Sequence, residues 1–426
     1  MNTPKDWRDE LTFIVEFMRD LSRQTDPQVA AELYGKRLRQ GGLIQADGYL
    51  AVSRRDLTAP EYRITRSSAW KDNINPWTEK HRLPVFNTGL LSELIYSNEP
   101  AIIEDLPARF APDDPAAQYF QGMNFLLAIP LFDDGEATNM SVIMTRDPKG
   151  TARDRIPMMV MQSNLWGRSV LNSVLRRELK EAYDALDHEL KMVGLIQRSL
   201  LPQVLPVIAG LDVAAYYETS QRAGGDYYDF FPLPAEQWGI FIADVSGHGI
   251  PAAVRMAITH AIAHTRPDPA VGPAEVLSYL NSILESRYIG KTGSFVTAFY
   301  AIYDPRKNRL SYASAGHPPP RLARGDSVIA LDGRAGLPLG IDRAADYLEH
   351  QLPLRSGDRL LFYTDGVSEA FNQAREQYGT DRLEAAFLAS RGDAQSALNA
   401  VLADLQQHCG GAPIADDRTL LVLKVR

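Results

Sequence analysis

Over residues 7–23 the apolar positions Leu11, Ile14, Val15, Met18 and Leu21 recur at helical intervals, which predicts an amphipathic helix with one face to bury. A second, shorter helix is predicted around residues 29–38. The pattern then changes to short β-rich runs. "GGLIQADGYLAVSRRDL" and "YRITRSSAW" read as strands, and "FLLAIPLFDDGEATNMSVIMTRD" as two strands about an Asp-Gly turn. Helix, strands and helix within the first stretch, 1–165, predict one α/β module.

Residues 166–201 follow a different period. Counted by sevens, Leu175, Ala182 and Ile196 fall in one register and Leu179, Leu186, Val193 and Leu200 in the other, with Glu189 the one charged interruption. Arg176, Glu178, Lys180, Glu181 and Asp184 occupy positions between them, and the pattern stops at Pro202, which cannot continue a helix interior. Two readings stay open: a two-chain coiled coil, or one helix lying on its own domain. After Pro202 a second domain, 202–426, is predicted. "SFVTAFYAIYDPRKNRLSYASAG" reads as a hairpin, "DRLLFYTDGVSEAF" and "DRTLLVLKV" as further strands, and "IPAAVRMAITHA" as a helix of small residues.

Composition narrows the class. At 426 residues the chain is too long for one ordinary core. A net charge of −8 argues against an electrostatic nucleic-acid binder and makes a protein the natural partner. Neither a secretory segment nor a long apolar span is visible, so a cytoplasmic protein without direct membrane insertion is expected. The lone Cys409, in the polar stretch "QQHCGGAP", cannot form an internal disulfide and reads as structural.

The informative chemistry lies in acidic residues beside strand-like runs: Asp226 and Asp229 in "GGDYYDFF", Asp244 in "FIADVSGHG", Asp365 in "LLFYTDGVSE", Asp416 and Asp417 in "IADDRTLLVL". Any one alone reads as a turn cap. Together they present several carboxylates at the ends of apolar strands, costly to bury unless paired or bound to a cation. Arg222 and Arg418 are the nearest bases. A binuclear site for hard divalent ions is the economical explanation. One cysteine and eight histidines offer no zinc-binding spacing.

In order, "RAGGDYYDFF", "ADVSGHGIPAA", "SAGHPPP", "GLPLGI", "YTDGVSEAFN" and "DDRTLLV" resemble the PPM family of metal-dependent protein serine/threonine phosphatases, in its bacterial sporulation and stress-response branch. The resemblance covers 202–426 and implies an α+β fold, an αββα sandwich. It implies two Mn²⁺ or Mg²⁺ ions, with Asp244 bridging them, the Val245 carbonyl on one, and Asp226, Asp365 and Asp416 completing the set. The one-residue choice between Asp416 and Asp417 stays open. It further implies hydrolysis of phosphoserine or phosphothreonine on a protein, such as a STAS-type anti-sigma-factor antagonist, by water and without a covalent nucleophile. Arg222 is a candidate for substrate phosphate; His248 and His317 read as structural.

Residues 10–165 resemble a GAF sensor domain, which implies an unidentified small ligand or protein activator. Trp70, Trp77 and Phe86 read as pocket or core aromatics, and His81 alone is weak for haem. "RRELKEAYDALDHELKMVGLIQRSLLP" resembles the helical segment preceding such phosphatase domains, implying a homodimer through the linker helix that passes a signal to the metal site. The rival class is a non-catalytic binding protein with a degenerate phosphatase fold. A nucleotide cyclase or nuclease lacks the expected phosphate loop or basic groove.

Overall fold

The computed structural model describes residues 7–24, 26–40, 46–147, 153, 156–266, 268, 270–289 and 293–426. The chain divides into two compact units, Met1–Asp184 and Ala185–Arg426. Among the described residues no helix is long and apolar enough to cross a membrane.

The first unit contains helices α1 (Trp7–Ser22), α2 (Pro27–Gln40), α3 (Leu90–Tyr96) and α4 (Ala117–Phe120). Its strands are β1 (Gly48–Ser53), β2 (Tyr62–Ser67), β3 (Val85–Phe86), β4 (Ala101–Ile103), β5 (Phe125–Asp133) and β6 (Glu136–Thr145). They form one antiparallel sheet in the order β3-β2-β1-β6-β5-β4. Residues 41–45, which open the first predicted strand run, and the side chain of Leu21 lie outside the described residues.

Both faces of this sheet are covered, which explains why β5 reads as a continuous apolar run and not an alternation. Leu126 and Ala128 join Leu50, Val52, Tyr62 and the α3 residues Leu91 and Ile95 on one face. Phe125, Leu127 and Ile129 face the other way, onto Ala30 and Ala31 of α2 and Met159, Trp166 and Val170 of the next helix. Trp70 and Phe86 pack on the first core, whereas Trp77 borders the second, so the three aromatics do not line one pocket. The predicted first helix forms, yet Leu11, Val15 and Met18 along it stay exposed.

Helix α5 (Ile156–Ser199) is continuous and starts ahead of the predicted linker. Of its heptad positions, Leu175, Leu179, Leu186 and Ile196 are exposed, as is Glu189.

The second unit adds strands β7 (Leu211–Glu218), β8 (Tyr227–Pro232), β9 (Trp238–Val245), β10 (Val296–Asp304), β11 (Arg309–Ala315), β12 (Arg321–Arg324), β13 (Ser327–Ala330), β14 (His350–Pro353), β15 (Arg359–Tyr363) and β16 (Arg418–Val425). Its helices are α6 (Ile250–His264), α7 (Pro273–Ile283), α8 (Asp365–Ser368), α9 (Thr380–Ala389) and α10 (Ala394–Cys409). Two five-stranded antiparallel sheets, β14-β11-β10-β9-β8 and β13-β12-β15-β16-β7, stack on one another.

Period-two alternation assigns each side chain to a layer. In the second sheet Leu360, Phe362, Leu421 and Leu423 point into the core shared with the first. Leu361, Tyr363, Leu420 and Val422 point outward onto Leu398, Val401 and Leu405 of α10. Phe362 meets Phe299 of the first sheet edge to face, ring centroids 5.8 Å apart. The predicted hairpin is β10–β11, paired from Phe299↔Ser314 to Asp304↔Arg309. Cys409 closes α10 and is buried in the outer core, rather than sitting in a polar loop, with Arg418 donating to its sulfur at 3.4 Å.

Candidate functional site

Strand register decides which carboxylates share a face. Tyr228 pairs with Ile242 and Ile242 with Phe299, which faces the second sheet. Even-numbered positions here therefore look between the sheets, Asp244 on β9 among them, and Asp226 just before β8 shares the parity of Tyr228. The second sheet supplies the rest at the same end. β15 runs through Thr364 into Asp365, the first residue of α8, and β16 begins immediately after Asp416 and Asp417. Tyr363 pairs with Leu420, so these two strand ends are neighbours.

The five carboxylates feel one another. Asp226 is raised well above the usual range, first by burial and then by Asp417 and Asp365; Thr419 and Thr364 act against this. Asp244 is raised furthest, by burial and then by Asp226, Asp365, Asp416 and Asp417. Asp365 is raised by burial, Asp416 and Glu369, and Asp417 by burial and Asp416. Among the described residues none of the five is ion-paired with lysine or arginine. A charge cluster of this kind favours either protons or cations among its oxygens.

Each group is held differently. Oδ2 of Asp226 accepts hydrogen bonds from Thr364 Oγ1 at 2.7 Å and Thr419 Oγ1 at 2.6 Å, all three residues being buried. The Thr419 N–H in turn donates to Thr364 Oγ1 at 3.0 Å. Asp417 has both oxygens occupied: Oδ1 by Ser220 N at 2.8 Å, Oδ2 by Gly225 N at 2.6 Å. It thereby pins the segment between β7 and Asp226. Asp416 is exposed, and its Oδ1 accepts only the adjacent Asp417 N–H among the described residues. The Val245 carbonyl lies against Gly225, where an added Cβ would come within 2.8 Å of its oxygen, so that approach requires glycine.

The other predicted residues fall outside the cluster. Arg222 donates Nε to Asp187 Oδ1 of α5 at 2.9 Å, and its Nη2 lies 2.8 Å from the same oxygen. Arg418 turns to Cys409. His248 is exposed on the loop after Asp244, its Nδ1 2.8 Å from Gln221 Nε2. His317 is buried, its Nδ1 3.0 Å from Thr297 Oγ1, and burial depresses its pKa to about 3. Reading the sequence missed Thr364 and Thr419; each lies beside an acidic motif, in "YTDG" and "DDRT", which was the available signal.

The donor set fits hard divalent cations: carboxylates and a main-chain carbonyl, without thiolate or imidazole, and with repulsion that a cation would relieve.

Comparison with known proteins bears on the fold of this part of the chain. Residues 234–426 match the family model for Stage II sporulation protein E (SpoIIE). The chain is 33% identical over 192 residues to phosphoserine phosphatase RsbU of Bacillus subtilis, covering 45% of this chain and 56% of that protein. It is 28% identical over 184 residues to phosphoserine phosphatase RsbP of the same organism, covering 42% and 45%. The chain spans about half the length of the curated relatives it matches. Among solved structures the SiaA-PP2C domain of Pseudomonas aeruginosa superposes with a TM-score of 0.52 at 23% identity, covering 57% of this chain and 99% of that one, a likeness of fold. The C-terminal part of the chain thus has a PP2C-like α+β fold and is similar over residues 234–426 to the SpoIIE family model, as it is to RsbU and RsbP.

Proposed function

We propose that the chain is a signalling phosphatase that hydrolyses phosphoserine or phosphothreonine on a protein, a STAS-type anti-sigma-factor antagonist being the expected substrate. The observation that carries this reading is the convergence of five carboxylates at one end of the sandwich without a basic partner. Phosphatases of this family depend on metal, usually Mn²⁺ or Mg²⁺. Asp226, Asp244, Asp365, Asp416 and the Val245 carbonyl would hold two such ions, which supply the Lewis acidity that lets water attack phosphorus in line at neutral pH.

The chain's own residues prepare that chemistry. Thr364 and Thr419 donate to the ionised form of Asp226 and so offset part of its burial. Asp417, with both oxygens engaged, serves the geometry of the 219–225 segment, which favours Asp416 as the ligand. Arg222 is committed to Asp187, so recognition of the substrate rests on surfaces of the protein partner more than on this guanidinium.

Regulation enters through α5. Its last turns grip the segment that leads into Asp226: Asp187 holds Arg222, Gln197 Nε2 donates to the Gly224 carbonyl at 3.2 Å, and Gly194 abuts the Arg222 carbonyl. A rotation or register change of α5 would shift Asp226 and the hydrogen bonds of Asp417 together. The exposed stripe of Leu175, Leu179, Leu186 and Ile196 suits a homodimer along this helix. In the GAF-like first unit a cavity of about 480 Å³, lined by Trp77 and Trp166 and by basic (Arg63, Arg66, Lys80) and acidic (Asp56, Glu178) side chains, is the place for a small sensor ligand.

The test is hydrolysis of para-nitrophenyl phosphate by the full chain as Mn²⁺ is added, beside Asp244→Ala. Metal-dependent turnover that the substitution abolishes is expected. Turnover absent from both proteins would make the chain a non-catalytic binding protein, and turnover equal in both would overturn the role given to Asp244.

A further inference from the structure

The helix-facing side of β8 carries a second group of ligating side chains. Tyr227, Asp229 and their cross-strand neighbours Ala243, Phe241 and Tyr300 lie on the opposite face of the sheet from Asp226 and Asp244. They face α6, as the edge contact between Tyr227 and His260 shows, ring centroids 5.6 Å apart. On α6, His260 and His264 stand four residues apart, so they share one face of the helix. Their ring centroids are 4.3 Å apart. Nε2 of His264 lies 2.8 Å from Asp229 Oδ2. One ligand atom from each of Asp229, His260 and His264 lies within 4.8 Å of the others. This overturns the expectation that the histidines have no metal spacing: His-x₃-His on a helix is such a spacing, and the third ligand comes from a strand distant in sequence.

We infer that Asp229, His260 and His264 form a second metal site, for one borderline transition-metal ion of the Zn²⁺ class, which ties α6 to β8 on the far side of the sheet from the carboxylate cluster. Two imidazoles and one carboxylate are a set that selects such ions over Mg²⁺, as the oxygen-only cluster selects the reverse. Asp229 is braced as metal-ligating carboxylates are. Tyr227 Oη donates to its Oδ2 at 2.7 Å and the Phe230 N–H to its Oδ1 at 2.7 Å. A simple Asp229–His264 hydrogen bond would account for His264 but leaves His260 unexplained. Among the described residues the His260 ring makes no hydrogen bond, although it is half-buried beside the other two. The exposed His264 leaves room for water as a further ligand. Arg266, the nearest cation along the chain, is engaged by the Asp268 carbonyl and Tyr300.

The experiment is Zn²⁺ binding to the full chain, stripped with chelator and kept in excess Mg²⁺ so that Zn²⁺ competes poorly for the oxygen-only cluster. One Zn²⁺ per chain is expected, with a rise in the thermal midpoint; Co²⁺ in its place should give the visible absorption of an imidazole-ligated ion. His260→Gln and His264→Gln should each weaken binding by about tenfold or more and remove the thermal shift, while Asp244→Asn keeps both. The histidines are half-exposed or exposed, so their glutamine variants are expected to fold, which far-UV circular dichroism checks. No Zn²⁺ bound, or binding lost in Asp244→Asn and retained in both histidine variants, would overturn the site. Either result leaves the phosphatase reading standing, since that is judged by Mn²⁺-dependent turnover.

Discussion

Replacing Thr419 by valine preserves the outline of the side chain and removes one hydrogen bond, the 2.6 Å donation to Asp226 Oδ2. In the metal-free protein Asp226 is held largely protonated by burial and its neighbours, so binding a cation requires it to ionise. A buried hydrogen bond to a charged acceptor is worth about 1.5–3 kcal/mol. Losing it makes ionisation harder by that amount, which corresponds to roughly 10- to 150-fold in the metal dissociation constant. Because the Thr364 bond at 2.7 Å remains, the lower end, about tenfold, is the expected result. The assay is para-nitrophenyl phosphate turnover against free Mn²⁺: the half-saturating concentration rises while the rate at saturation changes little. The requirement for metal should also relax as pH rises, because proton and cation compete for the same carboxylate. Thr364→Val is the informative companion. Its hydroxyl also accepts the Thr419 N–H at 3.0 Å, so it should lose about 1–3 kcal/mol of stability in addition. A half-saturating Mn²⁺ concentration unchanged in Thr419→Val would refute the claim that this hydroxyl supports the ionised Asp226.

Three further outcomes are expected. His317 has its pKa depressed from 6.5 to about 3 by burial; below pH 6.5 the unfolded chain takes up the proton and the folded one does not, so stability falls on acidification. Between pH 7 and pH 5 this group should cost the wild type about 2 kcal/mol, a loss absent from His317→Gln when both are followed by urea unfolding; parallel pH profiles would refute it. Gly194→Ala places a methyl on the Arg222 carbonyl and should destabilise by about 1–3 kcal/mol and raise the Mn²⁺ requirement, checked by thermal unfolding and turnover. Glu189→Leu completes the exposed apolar stripe of α5 and should strengthen self-association and change basal turnover; an unchanged sedimentation profile and rate would count against a dimer along this helix.

Features that depend on near neighbours in the chain were legible in the sequence. The alternation through 296–315 announced β10 and β11, and acidic residues at the ends of apolar runs marked Asp226, Asp244, Asp365 and Asp416. What stayed hidden depends on pairing across distance. The Arg222 side chain looked free until α5 brought Asp187 to it. Asp416 and Asp417 are alike as letters, and only Ser220 and Gly225 tell them apart. His260 and His264 looked scattered because Asp229 precedes them by a strand and a loop. The long apolar run of β5 could be counted, but which side each residue faced required knowing that helices cover both.

β8 and β7 are the outermost strands of their sheets, each with a single hydrogen-bonded neighbour, whereas β9 and β15 are flanked on both sides. The centre is thus assembled from parts of unequal firmness. Asp244 lies near the end of an inner strand, paired with Thr297 of β10, and Asp365 opens α8 directly after β15, whose last residue, Tyr363, pairs with Leu420. Asp226 hangs at the selvedge, just before an edge strand, its carboxylate tied to the second sheet by Thr364 and Thr419. On the proposed regulation through α5, an incoming signal would have a cheap target, since sliding the hem would open or complete the cluster while the cloth behind it stays whole.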